Sequence, residues 1–340
     1  MAELIEPNQV GVREDLSNLI ANAEMKDTPL TSMVPKGTKP GNMRLDWQMD
    51  ADLDIDTSGV LDGSDVTSFQ NAAENRALSS VYCQWFRNSG KTGKLAQDVS
   101  NVAGVSEKEN ARAIMKVMVQ VKQSMEARFS GDDDTTAESG ATPYTARGLG
   151  SWINNSAQAT LPVPSQYRTP TSSIDSTAST AAATEAAINS VLESIYDETG
   201  KVKDFDGIVG PAMKSRISDL QLVDTNASAG TAYLAARQVN KDQKDVTLAK
   251  KIDIMVGDFG TIKFHVSNFL GWSGGSRDAA VGGGRLYIVD MKDLELCFES
   301  TPGVQTYPDL GGGPRFAVDS VAALKMGNPL KHGAFKPTAA

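Results

Sequence analysis

Several groups of residues in this sequence have types and spacings that could support chemistry. Residues 89–92 (SGKT) resemble the end of a phosphate-binding loop, in which backbone N–H groups wrap a phosphate. That loop requires a glycine five residues before Gly90, and Trp85 stands there instead. The sequence therefore does not predict a nucleotide site at this position.

Alternating aspartates at positions 50, 52 and 54 resemble the start of a calcium-binding loop. Such a loop needs glycine at its sixth position for a sharp turn and glutamate at its twelfth as a bidentate ligand. Ile55 and Leu61 occupy those places. Carboxylates that alternate along a strand fit a solvated or subunit-facing edge better, with weak cation binding as the lesser alternative. We predict no metal site.

The remaining reactive residues also lack a catalytic arrangement. Residues 258–260 (DFG) match a kinase metal-binding tripeptide, but no HRD-type loop accompanies them, so they predict a tight turn between strands. His265 and His332 are the only histidines, and Cys83 and Cys297 are the only cysteines. Their spacing fits no zinc site. We predict buried free thiols and no catalytic residue, cofactor or metal.

Composition narrows the class of protein further. The chain has 340 residues, 40% of them hydrophobic, and a formal net charge of −9. An acidic chain is poorly suited to gripping nucleic acid, because phosphate contacts need clustered Lys and Arg. The N-terminus lacks the apolar core of a secretory signal, and no stretch approaches the ~20 apolar residues of a membrane span. We expect a soluble protein made in a reducing cytoplasm.

A strict alternation of apolar and polar side chains runs through residues 45–56. A period of two indicates an extended strand, because successive side chains point to opposite faces. At about 3.3 Å per residue this strand would reach roughly 40 Å, about twice the usual length. A second alternating run at residues 77–85 follows a polar tip, so we predict a long hairpin that lies on another subunit. The candidate inter-subunit contacts all belong to it: Trp47, Met49, Leu53, Ile55, Asp50, Asp52, Asp54, Tyr82 and Trp85.

The rest of the chain mixes helices and strands. The clearest helix spans residues 106–130, where an S-x-x-E capping box precedes an apolar stripe that includes Ile114, Met118, Val121 and Met125. We expect that stripe to pack on the C-terminal strands. Other segments are predicted as follows: helices at 13–24 and 181–199, a short helix that follows Gly210, an extended Pro-rich stretch near 28–42, a surface loop at 154–184, and strands at 205–209, 252–259, 261–269, 285–290, 294–300 and 315–325.

Short motifs occur here in an order typical of one family. They are TPLTS at 28–32, the Trp- and Asp-rich strand at 47–56, RGLGSWI at 147–153, GDFG at 257–260 and the final strand at 315–328. Each is short, but their order and spacing cover roughly residues 28–331. In this respect the chain resembles the major capsid proteins of tailed bacteriophages, which have the HK-97-like fold.

The resemblance implies an α+β fold and a structural role. The implied parts are an N-terminal arm (1–44), an extended loop hairpin (45–88), a peripheral domain with a spine helix (89–150), an axial domain (151–279), peripheral strands (280–330) and a C-terminal tail (331–340). The subunit would form hexamers and pentamers of an icosahedral head that encloses double-stranded DNA without sequence-specific binding. Portal, scaffold and decoration proteins would be its partners, no membrane is implied, and assembly would occur in the host cytoplasm.

Two other classes of protein are compatible with parts of this pattern. An encapsulin-type nanocompartment shell would have the same fold and a protein cargo. An enzyme with an oligomerisation arm would instead need a catalytic constellation, and the sequence offers none. We therefore expect a virion protein that is not an enzyme.

Overall fold

The computed structural model describes residues 26–53, 55–69, 71, 73–98, 109–176, 179–180, 183–220, 252–273 and 276–337. The predicted helix at 13–24 lies outside these residues. The helices are α1 (Pro29–Met33), α2 (Lys94–Asp98), α3 (Glu109–Phe129), α4 (Leu149–Trp152), α5 (Glu185–Thr199), α6 (Pro211–Leu220) and α7 (Ala279–Gly283). The strands are β1 (Arg44–Met49), β2 (Ala77–Tyr82), β3 (Gln84–Lys91), β4 (Ile174–Asp175), β5 (Lys203–Val209), β6 (Ile254–Gly257), β7 (Gly260–Val266), β8 (Trp272–Ser273), β9 (Ser276–Arg277), β10 (Leu286–Val289), β11 (Leu294–Tyr307), β12 (Arg315–Met326) and β13 (Gly333–Phe335).

One core forms between the long helix α3 and a three-stranded antiparallel sheet in the order β11-β12-β3. The central strand β12 is buried along most of its length, as its run of small and apolar residues requires. Val121, Met125 and Phe129 of α3 are buried against this sheet, and Phe86 of β3 meets the Phe129 ring edge-on at 5.7 Å. The predicted packing of the long helix on C-terminal strands is confirmed for its second half.

The first half of α3 departs from the prediction. Met118 was expected in the buried stripe, but it is 41% exposed, and Met115 is 59% exposed. In this half the core is reached by Ile114, as predicted, and by Val117, and both pack partly buried against it. Met118 lies off that side of the helix and therefore remains in solvent. The predicted helix start at residues 106–108 lies outside the described part of the chain.

A second core forms on a six-stranded mixed sheet in the order β4-β13-β10-β5-β7-β6. Helix α5 covers it with Ile188, Val191, Leu192 and Ile195, which are buried. The helix begins at Thr184, whose hydroxyl accepts from the N–H of Ala187, and it ends at Gly200 in the left-handed conformation. The predicted order of helix, buried strand and short helix over residues 185–220 is confirmed.

The two sheets are connected twice, which the expected division of the chain did not anticipate. Strand β10 was assigned to the peripheral strands and residues 331–340 to a tail. In the structure β10 pairs with β5, and β13 pairs with β10, so both belong to the six-stranded sheet. The chain crosses to β11 through a turn at Met291–Asp293 and returns from β12 through a turn at Pro329–Lys331.

The hairpin is confirmed, but it is shorter than predicted. β1 and β2 pair antiparallel from Arg44 opposite Tyr82 to Met49 opposite Ala77. The regular strand ends at Met49 because no described segment continues its ladder, and a strand needs a hydrogen-bonded neighbour. The second predicted run is split at Cys83, after which β3 joins the three-stranded sheet.

Two segments predicted as irregular are partly ordered. The Pro-rich stretch contains the short helix α1, in which Leu30 is fully buried. The predicted surface loop at 154–184 contains short turns at Ser165–Tyr167 and Thr171–Ser173, and Tyr167 is fully buried. Both segments lie against the body of the protein and use its surface to bury their few apolar residues.

Candidate inter-subunit surfaces

The segment between β1 and β2 leaves the body of the protein as a long loop, which we call the extended loop (residues 50–76). Its root is fixed by polar contacts. The carboxylate of Asp50 accepts from two nitrogens of Arg76, each at 3.2 Å. The side-chain amide of Asn75 donates to the backbone carbonyl of Asp52 at 2.9 Å. The backbone carbonyl of Asn75 accepts from the Tyr167 hydroxyl at 2.5 Å. The loop therefore departs from a defined point.

Beyond this root the extended loop exposes large apolar side chains. Ile55 is 91% exposed and Phe69 is 87% exposed, and Val60, Leu61 and Val66 are at least 70% exposed. A cluster of this kind on a soluble protein usually marks an interaction surface. Of the predicted contact residues, Leu53 and Ile55 lie in this exposed set, whereas Asp54 lies outside the described residues.

The same loop is strongly acidic. Asp52, Asp62, Asp65 and Glu74 are exposed, and Arg76 is the one cationic side chain between residues 50 and 76. Asp56 accepts hydrogen bonds from the side chain and the backbone N–H of Ser58, and these bonds lower the pKa of its carboxyl. A loop that is both apolar and acidic is suited to a partner surface that combines apolar and basic groups.

Trp47 and Met49, two of the predicted inter-subunit contact residues, make contacts within their own chain. The Trp47 ring lies 5.6 Å from the Trp152 ring, and its Nε1 donates to the carbonyl of Gly327 at 3.3 Å. Met49 is buried in the same core. Both residues therefore pack within this chain, because the three-stranded sheet and its flanking loops already cover the apolar face of β1.

Tyr82 and Trp85 differ from each other. The Tyr82 ring packs on the Tyr144 ring at 5.2 Å and is partly buried within the chain. Trp85 is 52% exposed, and the guanidinium of Arg87 lies 3.7 Å above its ring. This cation–π pair leaves one side of the Trp85 ring available at the surface, so its inter-subunit role stays a prediction.

The outer half of β11 is a second exposed surface, which sequence reasoning missed. Every residue from 301 to 310 is exposed, including Val304, Tyr307 and Leu310. β11 is an edge strand, and its inner half is bridged by the arm, where Leu296 donates to the Pro35 carbonyl at 2.8 Å. Exposed strand edges readily pair with other chains. Its only sequence signal was three separate apolar side chains, Val304, Tyr307 and Leu310, beyond the predicted strand end.

The N-terminal arm is held on α3 by Glu126, another residue that sequence reasoning missed. This fully buried carboxylate accepts from the N–H of Leu30 at 3.0 Å and from that of Thr31 at 2.8 Å. Burial raises the pKa of Glu126, while the two N–H groups act in the opposite direction. A glutamate inside the apolar stripe between Met125 and Phe129 was the available signal, since a buried carboxylate requires donors.

The RGLGSWI motif is part of the core. Arg147 is fully buried; its Nε donates to Asp134 at 2.8 Å, and its guanidinium lies 4.5 Å from the Trp152 ring centre. Trp152 in turn donates to a backbone carbonyl of β12 at 3.1 Å. Gly148 has no room for a side chain, since a Cβ would lie 2.3 Å from the Gly131 carbonyl oxygen. The motif fixes the end of α3 to the sheet.

The motifs whose residue types could support chemistry are parts of strands, turns and the core. Residues 89–92 lie at the end of β3, and residues 258–260 form the predicted turn between β6 and β7. His265 contacts Asp206 at 3.0 Å, and His332 is fully buried beside Asp293. Cys83 and Cys297 are buried free thiols, as predicted, and burial raises the pKa of each to about 11.

The described residues contain no cluster of three or more His, Cys, Asp or Glu residues placed to hold a metal ion. In the same part of the chain, no helix has the length and apolar character that crossing a bilayer requires.

Comparisons with known proteins agree with this architecture. The family model described as SU10 major capsid protein matches residues 5–339. No curated protein sequence was found to match the chain. Among solved structures, the capsid of the cyanophage P-SCSP1u is similar with a TM-score of 0.58 at 10% identity, over 99% of this chain and 97% of that chain.

Two further structures show the same likeness. One, from Mycobacterium phage Bobi, has a TM-score of 0.58 at 11% identity, with both chains fully covered. The other, the capsid of a native GTA particle, has a TM-score of 0.60 at 10% identity, over 98% of this chain and 97% of that chain. At these identities the likeness establishes the fold, which is the α+β HK-97-like fold expected from the sequence.

Proposed function

The chain belongs to the SU10 major capsid protein family and is a structural subunit of a tailed-phage capsid; we propose that it builds an icosahedral head from hexamers and pentamers. The family is one of structural capsid proteins, which form shells by self-association, rather than one of enzymes. Its place is therefore the virion. This membership favours a phage capsid over the encapsulin alternative.

The observation that carries the proposal is the extended loop. Its root is anchored to the body through Asn75 and Tyr167, while Ile55 and Phe69 beyond the root are almost completely exposed. Burying apolar surface stabilises by about 25 cal/mol per Å², so a neighbouring subunit that covers these side chains gains free energy from each contact. Repetition of that contact around a shell converts a modest pairwise affinity into a stable assembly.

We extend the proposal to the contents and partners of the shell. An acidic subunit suits a container for packed double-stranded DNA, because it does not bind the genome tightly. Assembly in the host cytoplasm with a portal, a scaffold and decoration proteins follows from the same family resemblance. We propose the same parts of the subunit as the resemblance implied, except that β10 and β13 are assigned to the axial domain, because both strands pair within the six-stranded sheet.

The proposal is tested with a variant of the extended loop. Ile55→Ser/Phe69→Ser removes two exposed apolar contacts, and Val202→Ser/Val256→Ser is the matched control, because these valines are 62% and 77% exposed outside the loop. We expect wild type and control to form shells, seen by negative-stain microscopy. The loop variant should remain as folded, smaller species with an unchanged circular dichroism spectrum.

Three results would count against the proposal. Shells at wild-type yield from the loop variant would show that the loop does not hold neighbours. An equal loss of shells in the control would remove the special role of the loop. Failure of the wild type to form any shell-like particle would contradict self-assembly by this subunit alone.

A further inference from the structure

A third exposed surface lies on the solvent side of α3. We call it the methionine–lysine face, and it comprises Met115, Lys116, Met118, Val119, Lys122 and Gln123. Met115 is 59% exposed and Met118 is 41% exposed, although the helix buries Val121 and Met125 on its other side. Exposed methionines on a helix are adaptable contacts for another apolar helix.

The charged side chains of this face are all cationic. Lys116 and Lys122 are exposed, and no acidic residue lies between Glu109 and Glu126 on α3. Glu126 itself is buried beneath the arm, where it accepts from the N–H groups of Leu30 and Thr31. The face therefore presents apolar and cationic groups without local carboxylates from its own helix, and its complement would be apolar and acidic.

The described chain begins beside this face. A groove of about 490 Å³ is lined by residues 26–29 of the arm and by Val119, Lys122 and Gln123 of α3. The Lys122 amine donates to the Ser32 hydroxyl at 3.2 Å, which fixes the arm against the C-terminal end of the face. The chain that precedes Lys26 must leave from this point.

Residues 1–25 lie outside the described residues, and their sequence carries the complementary pattern. Residues 13–24 predict an amphipathic helix, with Leu16, Leu19, Ile20 and Ala23 at helical spacing. The same stretch holds three carboxylates and one arginine, a net charge of −2. As a helix it would be about 18 Å long at 1.5 Å per residue, which is sufficient to cover the face from Lys122 back to Met115.

We propose that residues 13–24 of the chain dock on the methionine–lysine face of the same chain. The apolar side of the segment covers Met115 and Met118, and its carboxylates lie near Lys116 and Lys122. Only residue 25 separates the segment from the described arm, so its effective concentration at this face is high. This inference concerns the subunit alone and does not depend on shell formation.

Disulfide trapping in the full-length protein tests the proposal. Ile20→Cys/Met118→Cys should form a disulfide within one chain, since a bridge needs Cα atoms closer than about 7 Å. The control Ile20→Cys/Val266→Cys places the second thiol at a site of similar exposure, 47%, on β7. The native thiols, Cys83 and Cys297, are buried. We expect the first pair to oxidise roughly tenfold faster, at monomer mass.

Charge variants separate specific docking from chance contact. Lys116→Glu should slow formation of the Ile20→Cys/Met118→Cys disulfide, and adding Glu14→Lys/Asp15→Lys should restore the rate. Equal oxidation rates for the test and control pairs would overturn the proposal. So would a bridge found only at dimer mass, which would assign the face to a second copy, or a rate that Lys116→Glu leaves unchanged.

Discussion

Trp47 lies in the first strand of the hairpin and Trp85 lies just after its second strand, and the two side chains have different environments. Trp47 packs on Trp152 and donates to Gly327, with the Lys325 amine 5.9 Å from its ring centre. Trp85 is 52% exposed and is covered on one side by Arg87. Aromatic residues of an assembling subunit can thus serve its own core or remain at its surface, and only the contacts in the folded chain distinguish the two.

This difference predicts that alanine variants of the two residues lose different amounts of stability. Trp47→Ala should lower the free energy of unfolding by roughly 2–3 kcal/mol. Replacing a fully buried Trp by Ala costs about 3–5 kcal/mol, and Trp47 is only partly buried. Trp85→Ala should change it by less than about 1 kcal/mol. Urea unfolding of unassembled subunits measures both. Equal values for the two variants would contradict the intrachain role of Trp47.

Glu126 gives the arm a pH-dependent attachment. Burial raises its pKa above the ordinary value of 4.5, so the protonated form is favoured in the folded state. Its contribution to stability is therefore fully present below the unfolded value and is lost as the pH rises through the folded value. Glu126→Gln does not titrate. We expect the wild type to gain stability relative to Glu126→Gln as the pH falls from about 7 to about 4.5.

The measurement is urea unfolding of both proteins at several pH values, so that all other titrating groups cancel in the difference. The stability of the wild type relative to Glu126→Gln could instead be constant with pH or increase toward neutral pH. Either result would show that the hydrogen bonds from Leu30 and Thr31 affect the Glu126 pKa at least as much as burial does. Glu126→Ala provides a further comparison, because it leaves two buried N–H groups without this acceptor, each at a cost of about 1–3 kcal/mol.

Among the elements, the two crossings between the sheets depend on one carboxylate. Asp293 accepts from the N–H of Asn328 at 2.6 Å, from the Lys331 amine at 2.8 Å, and from the ring of His332 at 3.3 Å. The other ring nitrogen of His332 accepts from the N–H of Asp290 at 3.2 Å. The turn before β11 and the turn before β13 are therefore held together, and with them the two sheets.

Asp293→Asn should weaken that connection. Although burial opposes ionisation, the hydrogen bonds that the carboxylate accepts from His332, Lys331 and Asn328 lower the Asp293 pKa from 3.8 to about 2. A depressed pKa of this size corresponds to roughly 2 kcal/mol of stability above the unfolded value, lost as the pH falls through the folded value. We expect the loss to be constant from about pH 7 to 5 and to shrink below about pH 4. A loss of stability that grows on acidification would contradict this role of the ionised Asp293.

Sequence patterns predicted where the helices and strands occur better than which of them pack or pair with each other. The helix over 109–129, the hairpin and the helix–strand–helix unit follow from periodicity and capping residues, which are local. The length of β1 does not, because a strand continues only where another strand pairs with it. The exposure of Met115 and Met118 and the burial of Glu126 likewise depend on which parts of the chain lie against α3. The exposed tip of the hairpin was predictable, whereas the packing of Trp47 within its own chain was not.

For the whole molecule, the distribution of charge predicts how assembly responds to salt. The extended loop carries Asp52, Asp62, Asp65 and Glu74 in exposed positions, with Arg76 bound to Asp50 at its root. Each exposed ion pair contributes only about 0–1 kcal/mol, but the same contact repeats at every subunit of a shell. Added salt screens such contacts over a Debye length of about 8–10 Å at moderate ionic strength.

We therefore expect the yield of shells to change between low and high ionic strength, and the change to be smaller for Asp62→Asn/Asp65→Asn. The control Asp197→Asn/Glu198→Gln removes the same charge from the exposed side of α5, so it separates a local effect from the lower net charge of the subunit. Light scattering during assembly, at matched protein concentration, gives the profiles. If the loop variant and the wild type respond identically to salt, the acidic groups of the loop do not face charges on a neighbour, and its apolar side chains alone must hold the contact.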